Sequence, residues 1–183
     1  MPDNLKFEDY GKILWLWSNS EIHNRWQTHL QTRFVVPAIV HSQYYILEEE
    51  RFPVAYFSWA LLNLSSEKKY LLNPHSLEPN DWKSGDRLWF IEYISPFSSN
   101  YTRKLNKKIA KIFPDYVGRA IRIRLGVETA KVQHFKGPNV SRENYRKLRS
   151  QYLREFYEVT RNDTMVDNRI NVNVPTEQRR VKA

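Results

Sequence analysis

A strand that is apolar along its length except for one carboxylate limits the folds open to this chain. Leu88 to Ile94 reads Leu-Trp-Phe-Ile-Glu-Tyr-Ile, aromatic and β-branched apart from Glu92. Such a run is strand composition, and Ser84-Gly85-Asp86 just before it supplies turn chemistry. A chain with this strand places it in a core. The core then has to accommodate Glu92, because an unpaired buried carboxylate is costly. Histidine is a natural partner, and Arg87 or another basic residue is the alternative.

A second segment answers the first. Trp15-Leu16-Trp17-Ser18-Asn19-Ser20-Glu21-Ile22-His23-Asn24-Arg25-Trp26 sets one histidine among three tryptophans. Tryptophan is a large apolar anchor, and histidine takes and gives protons near neutrality. The pattern suits an active-site base, and it equally suits a capping or core histidine. Ser20, three residues earlier, can share a helix face with His23. It then serves as a cap, as a polar contact to the ring, or as a nucleophile in a Ser20–His23–Glu92 set. No Gly-x-Ser-x-Gly elbow surrounds it.

These segments together resemble the RTX toxin-activating lysine acyltransferases of the hemolysin-activating type. The resemblance runs in register over roughly residues 8 to 137. It includes Val36-Pro37-Ala38-Ile39, Phe52-Pro53-Val54-Ala55-Tyr56 with Ser58-Trp59-Ala60, Asp81-Trp82 with Ser84-Gly85-Asp86-Arg87, and Phe113-Pro114 with Arg119-Ala120-Ile121-Arg122. It implies a GNAT-like acyltransferase fold, His23 as the catalytic base and Glu92 as the second catalytic residue. The family has aspartate at the Glu92 position. Ser20 matches a family serine, and Phe34 stands where many relatives have asparagine. The resemblance further implies a fatty acyl group delivered by acyl carrier protein as co-substrate, with no bound cofactor. It implies internal lysines of an RTX protoxin as acceptor, and a homodimer.

Charge is unevenly placed. Residues 1–102 hold 9 Lys+Arg against 12 Asp+Glu, and residues 103–183 hold 20 against 8. The positive field of the second part attracts polyanions. Under the resemblance the polyanion is the acidic carrier protein, docking on Arg103, Lys104, Lys107, Lys108, Arg119, Arg122 and Arg124. The bland reading of these charges is a solvated face. The rival reading of the chain is a non-enzymatic basic nucleic-acid-binding module, although no reader motif is present.

At 183 residues the chain fits a single domain, expected over residues 1–160, with a flexible basic tail over 161–183. It contains no cysteine, so disulfides and thiolate chemistry are excluded. Its five histidines lack metal-ligand spacing, and no phosphate-binding glycine loop or pyrophosphate loop is present. No apolar run is long enough to span a bilayer and the start lacks a secretory pattern, so a cytoplasmic location is expected.

Spacing predicts a helix over 7–19, a short helix from Ser20 through Leu30 ended by Pro37, and strands over 42–49 and 52–63. It predicts loop plus short helix over 64–83, a strand over 86–95 and a basic amphipathic helix over 101–113. Strands over Arg119–Leu125 and Lys131–Phe135 follow, joined at Gly126, and a helix over 141–160 closes the domain. The order fits an α+β layout: a mixed, mostly antiparallel central sheet flanked by helices.

Overall fold

A computed structural model describes residues 5–122, 130–160 and 170–171. Helix α1 (Phe7–Ser18) buries Ile13, Leu16 and Trp17, and the Asn19 side chain closes it by donating to the Trp15 carbonyl at 2.8 Å. Helix α2 (Thr28–Val40) packs beside it. Strands β1 (Tyr44–Glu49) and β2 (Phe52–Leu62) form a hairpin. Its turn places Glu50 and Arg51 at φ 50° and 72°, the left-handed pair that matches strand twist in a two-residue loop. Helix α3 (Leu64–Leu72) starts where Asn63 accepts from the Ser66 amide. Strand β3 (Arg87–Ile94) precedes helix α4 (Ser99–Ile112). Strands β4 (Val117–Arg122) and β5 (Ala130–Lys136), helix α5 (Arg142–Thr160) and the short strand β6 (Ile170–Asn171) complete the order.

The sheet runs β1-β2-β3-β4-β5-β6. Three pairings are antiparallel, while β3–β4 and β5–β6 are parallel. The layout is the expected mixed, mostly antiparallel sheet with helices around it. Trp17, Phe34, Val35 and Ile39 of α1 and α2 cover one face, packing on Tyr56 and Ile94. Leu105 and Ile109 of α4 cover the other, packing on Ala55, Phe57, Leu88 and Phe90. Below α3, Tyr70, Leu71, Trp82 and Trp89 form a third cluster.

Two local features position the site. The β3–β4 pairing is short: Trp89 pairs with Arg119 and Phe90 with Ala120. Beyond that point β3 continues to Ile94 and β4 to Arg122 without pairing to each other, and the strands part. The second feature is a bulge in β3. Ser58 pairs with Glu92, yet Trp59 pairs with Phe90, so Ile91 is an extra residue. A bulge re-aims the side chains that follow it. Phe90 and Tyr93 face α4, while Ile91 and Glu92 both face α1 and α2.

The segment after Ser20 departs from expectation. It forms a single tight turn, His23–Arg25, and then runs extended through Trp26 and Gln27 into α2. Pro37 does not end that helix. The helix continues to Val40 because the His41 amide donates to the Pro37 carbonyl at 3.0 Å and Ala38 and Ile39 are buried beneath it. That packing outweighs the donor lost at proline. Strand β4 begins at Val117, earlier than expected. Ile123–Leu125, Gly126, Arg124 and the tail apart from Ile170–Asn171 lie outside the described residues.

Candidate active site

The imidazole of His23 is held from both ends of its segment. The Asn24 amide donates to the Ser20 carbonyl at 2.9 Å, and the Trp26 amide donates to the His23 carbonyl at 2.9 Å, which curls the backbone around the ring. Trp26 and Trp17 lie against it, with ring centroids at 4.6 Å and 5.2 Å. Trp15 does not take part, because it points outward on α1 and is 52% exposed. Phe34 backs Trp26 as an apolar wedge, with ring centroids 5.6 Å apart.

Both ring nitrogens have polar neighbours. Ser20 Oγ lies 2.7 Å from Nδ1. Nε2 lies 3.6 Å from Glu92 Oε1, within ion-pair reach and beyond a hydrogen bond. For Nε2 to accept a proton, Nδ1 must carry the ring hydrogen and donate it to Ser20 Oγ. Ser20 Oγ sits where it can accept that hydrogen and hold the ring in this orientation. No side chain caps the tight turn, so the capping role open to Ser20 in the sequence is not the one it takes.

Burial displaces both titratable groups. Desolvation lowers the His23 pKa from 6.5 to about 4 and raises the Glu92 pKa from 4.5 to about 8. The Tyr56 hydroxyl and Trp17 indole offset part of the Glu92 rise. Neither completes a hydrogen bond with the carboxyl. At neutral pH the pair rests as neutral imidazole beside a protonated carboxyl.

Where β3 and β4 part, a cleft of about 440 Å³ opens onto this pair. Ile22, Trp26, Ile91, Ile121 and Phe135 give it apolar walls. Thr102 and Asn106 of α4 and Arg122 of β4 add polar groups. Ile91 and Tyr93 of β3 line the cleft, whereas Tyr56 and Trp89 are sealed in the core. Sequence reasoning missed Ile22, Phe90, Ile121 and Phe135. Phe90 and Ile121 lie on the two strands that part, Phe135 on β5 beside them and Ile22 in the turn before His23, a convergence that no local pattern in the sequence announces.

The basic residues divide. Arg103 and Lys107 are exposed on α4, next to the cleft-lining Thr102 and Asn106, and Arg122 is exposed at the cleft itself. Lys104 pairs with Glu49, and Lys108 lies 4.5 Å above the Tyr45 ring. Arg119 is not a docking residue. It is 3% exposed, pairs with buried Glu67, and lies 3.8 Å from the Tyr152 ring centroid and 4.5 Å from that of Trp89. Glu67 also takes Arg87, which reaches Glu155 on α5. The Arg-x-Ile-Arg alternation puts Arg119 inward because its strand neighbour is the buried Trp89. Arg87 is thus committed to Glu67 and Glu155, and Glu92 faces His23.

A protein-lysine myristoyltransferase of Kingella kingae is 43% identical over 82% of this chain and 89% of its own length. An RTX-III toxin-activating lysine-acyltransferase of Actinobacillus pleuropneumoniae is 42% identical over 85% and 89%. A protein-lysine palmitoyltransferase of Bordetella bronchiseptica is 44% identical over 72% and 71%. Residues 3–136, α1 through β5, match the profile of the RTX toxin acyltransferase family, and the chain belongs to that family.

Proposed function

We propose that this acyltransferase moves a fatty acyl group from acyl carrier protein to internal lysines of an RTX protoxin, with His23 as base and Glu92 as its partner. One observation carries the reading: a neutral imidazole and a buried carboxyl stand side by side at an apolar cleft formed by two diverging strands. The divergence of β3 and β4 supports a GNAT-like description of the fold.

The reaction needs a neutral amine, while free lysine is mostly protonated near neutrality. The amine nitrogen attacks the thioester carbonyl, and as the C–N bond forms His23 Nε2 takes a proton from that nitrogen. The C–S bond then breaks and the departing sulfur takes the proton back, leaving an amide and a thiol. An imidazolium 3.6 Å from Glu92 pulls the carboxyl toward its ionised form, which in turn stabilises the cation. Ser20 holds Nδ1 and so fixes the ring. The transfer is direct, without an acyl-serine.

Arg103, Lys107 and Arg122, with Lys104 and Lys108 behind them, form the docking surface for the acidic carrier at the cleft mouth. Arg124 belongs to the same strand region but lies outside the described residues. No helix among the described residues is long and apolar enough to cross a membrane. We place the enzyme in the cytoplasm, as a homodimer. The test is co-expression with an RTX protoxin followed by mass analysis of its tryptic peptides. A fatty-acyl mass gain on lysine, absent with His23→Ala, is the expected result. Unmodified lysines with the wild-type enzyme would refute the reading.

A further inference from the structure

The active-site cleft shares a wall with a second cavity that the transfer chemistry does not use. This cavity, about 180 Å³, lies between α4 and the paired parts of β3 and β4. Phe90, Asn106 and Phe135 line both spaces. Phe90 and Phe135 meet edge to face, with centroids 5.1 Å apart and planes at 74°. Behind them the second cavity is walled mostly by apolar side chains, Leu88, Ile109, Ala110 and Phe113, with Tyr116 and Lys136 also lining it.

The two rings are held unequally. Phe90 is 3% exposed and also packs on Phe57 and Phe113, at 6.1 Å and 5.7 Å. It lies directly on Gly118, where an added Cβ would stand 2.6 Å from its ring. Phe135 is only half-buried on β5, and its ring contact is Phe90 alone among those described. One ring of the partition is therefore enclosed on all sides, while the other packs on the core from the partly open side.

We propose that Phe90 and Phe135 form a chain-length gate, with the second cavity receiving the methyl end of an acyl chain too long for the first. The proposal rests on the acyltransferase reading. Two observations favour an acyl tail as the occupant. The cavity continues the cleft that begins at His23, and its far walls carry methyl and phenyl groups. The Kingella kingae and Bordetella bronchiseptica relatives are named for myristoyl and palmitoyl transfer, acyl groups two methylenes apart. A ruler with that resolution must sit at the end of a tunnel, where one or two carbons decide. Burying a methylene changes binding about four-fold, so two change it roughly fifteen-fold.

The experiment measures kcat/KM for transfer to toxin lysines from acyl carrier protein loaded with saturated chains of stepped length. Phe135→Ala opens the gate, and the ratio of long-chain to short-chain transfer is expected to rise about tenfold. Ala110→Phe fills the second cavity from α4. That ratio is expected to fall about tenfold in it, and to fall back in the double variant. Circular dichroism and thermal unfolding check that each variant folds, and Ala110→Phe decides the matter if Phe135→Ala does not. Unchanged length profiles in folded variants of an active enzyme would overturn the gate alone. A wild-type enzyme inert with every donor would overturn the acyltransferase reading and the gate with it.

Discussion

His23 Nε2 and Glu92 Oε1 stand 3.6 Å apart, their side chains 9% and 2% exposed, and burial drives their pKa values in opposite directions. The usual order of a carboxylate and an imidazole is thereby reversed, which makes the resting pair uncharged.

Titration of the histidine ring protons by NMR, assigned with a His134→Gln variant because burial also lowers His134 to about 4, should therefore show the His23 midpoint far below the ordinary value. His23 is expected near 4, with an unburied imidazole near 6.5 for reference. A His23 midpoint near 6.5 would mean that the ring sees water freely and that the site as described is wrong.

Stability should carry the mark of Glu92. Its folded pKa lies above its unfolded value, so its contribution is complete below about pH 4.5 and is lost as pH rises through about 8. His23 acts in the other sense, complete above 6.5 and lost as pH falls through about 4. Between pH 6.5 and 8 only Glu92 changes. Urea unfolding across that window should show the wild-type protein losing stability relative to Glu92→Gln as pH rises. A constant difference between the two would place the Glu92 pKa outside the window.

Substitution of the base and of its holder should separate their roles. His23→Ala is expected to lose about 10²–10⁴-fold in transfer rate. Ser20→Ala loses one hydrogen bond to Nδ1 and is expected to fall about tenfold or less. Equal, near-total losses, with an acyl mass trapped on the wild-type enzyme, would point to an acyl-serine instead.

Glu67 should matter for folding more than for docking. It is 1% exposed and neutralises both Arg87 and Arg119. Glu67→Ala leaves the buried Arg119 cation without its acid and is expected to cost about 3–5 kcal/mol by urea unfolding. Replacing Arg119 by Met removes the charge along with its need for a partner and should cost less.

Docking should follow the exposed cations. The double variant Arg103→Glu, Lys107→Glu is expected to raise KM for the carrier protein about tenfold at low salt, with kcat little changed. The difference should shrink as ionic strength rises. Equal KM values at low salt would move the carrier to another face.

Much of this was legible in the chain. The apolar run Leu88–Ile94 marks a buried strand, the 3-and-4 spacing of Phe7, Tyr10, Ile13, Leu14 and Trp17 marks a helix, and both formed. Glu92 asked for a partner, and the Trp-framed histidine was the obvious one. The cleft was not legible. It depends on where β3 and β4 stop pairing, which is a relation between strands distant in sequence. Arg119 was misread for a related reason. Alternation tells that a residue faces one side of a strand, but not that Glu67 and Tyr152 wait there. Pro37 was read as a stop because local preference disfavours it in helices, and packing of Ala38 and Ile39 overrode that preference.

The extra residue at Ile91 has a consequence for how this site tolerates change. Because the inserted backbone unit turns position 92 toward the imidazole, direction is supplied by the main chain and only reach is left to the side chain. An acid one carbon longer or shorter keeps its heading there, whereas a regular β3 that kept all its residues, with no bulge at Ile91, would turn the carboxyl across the sheet to the α4 side.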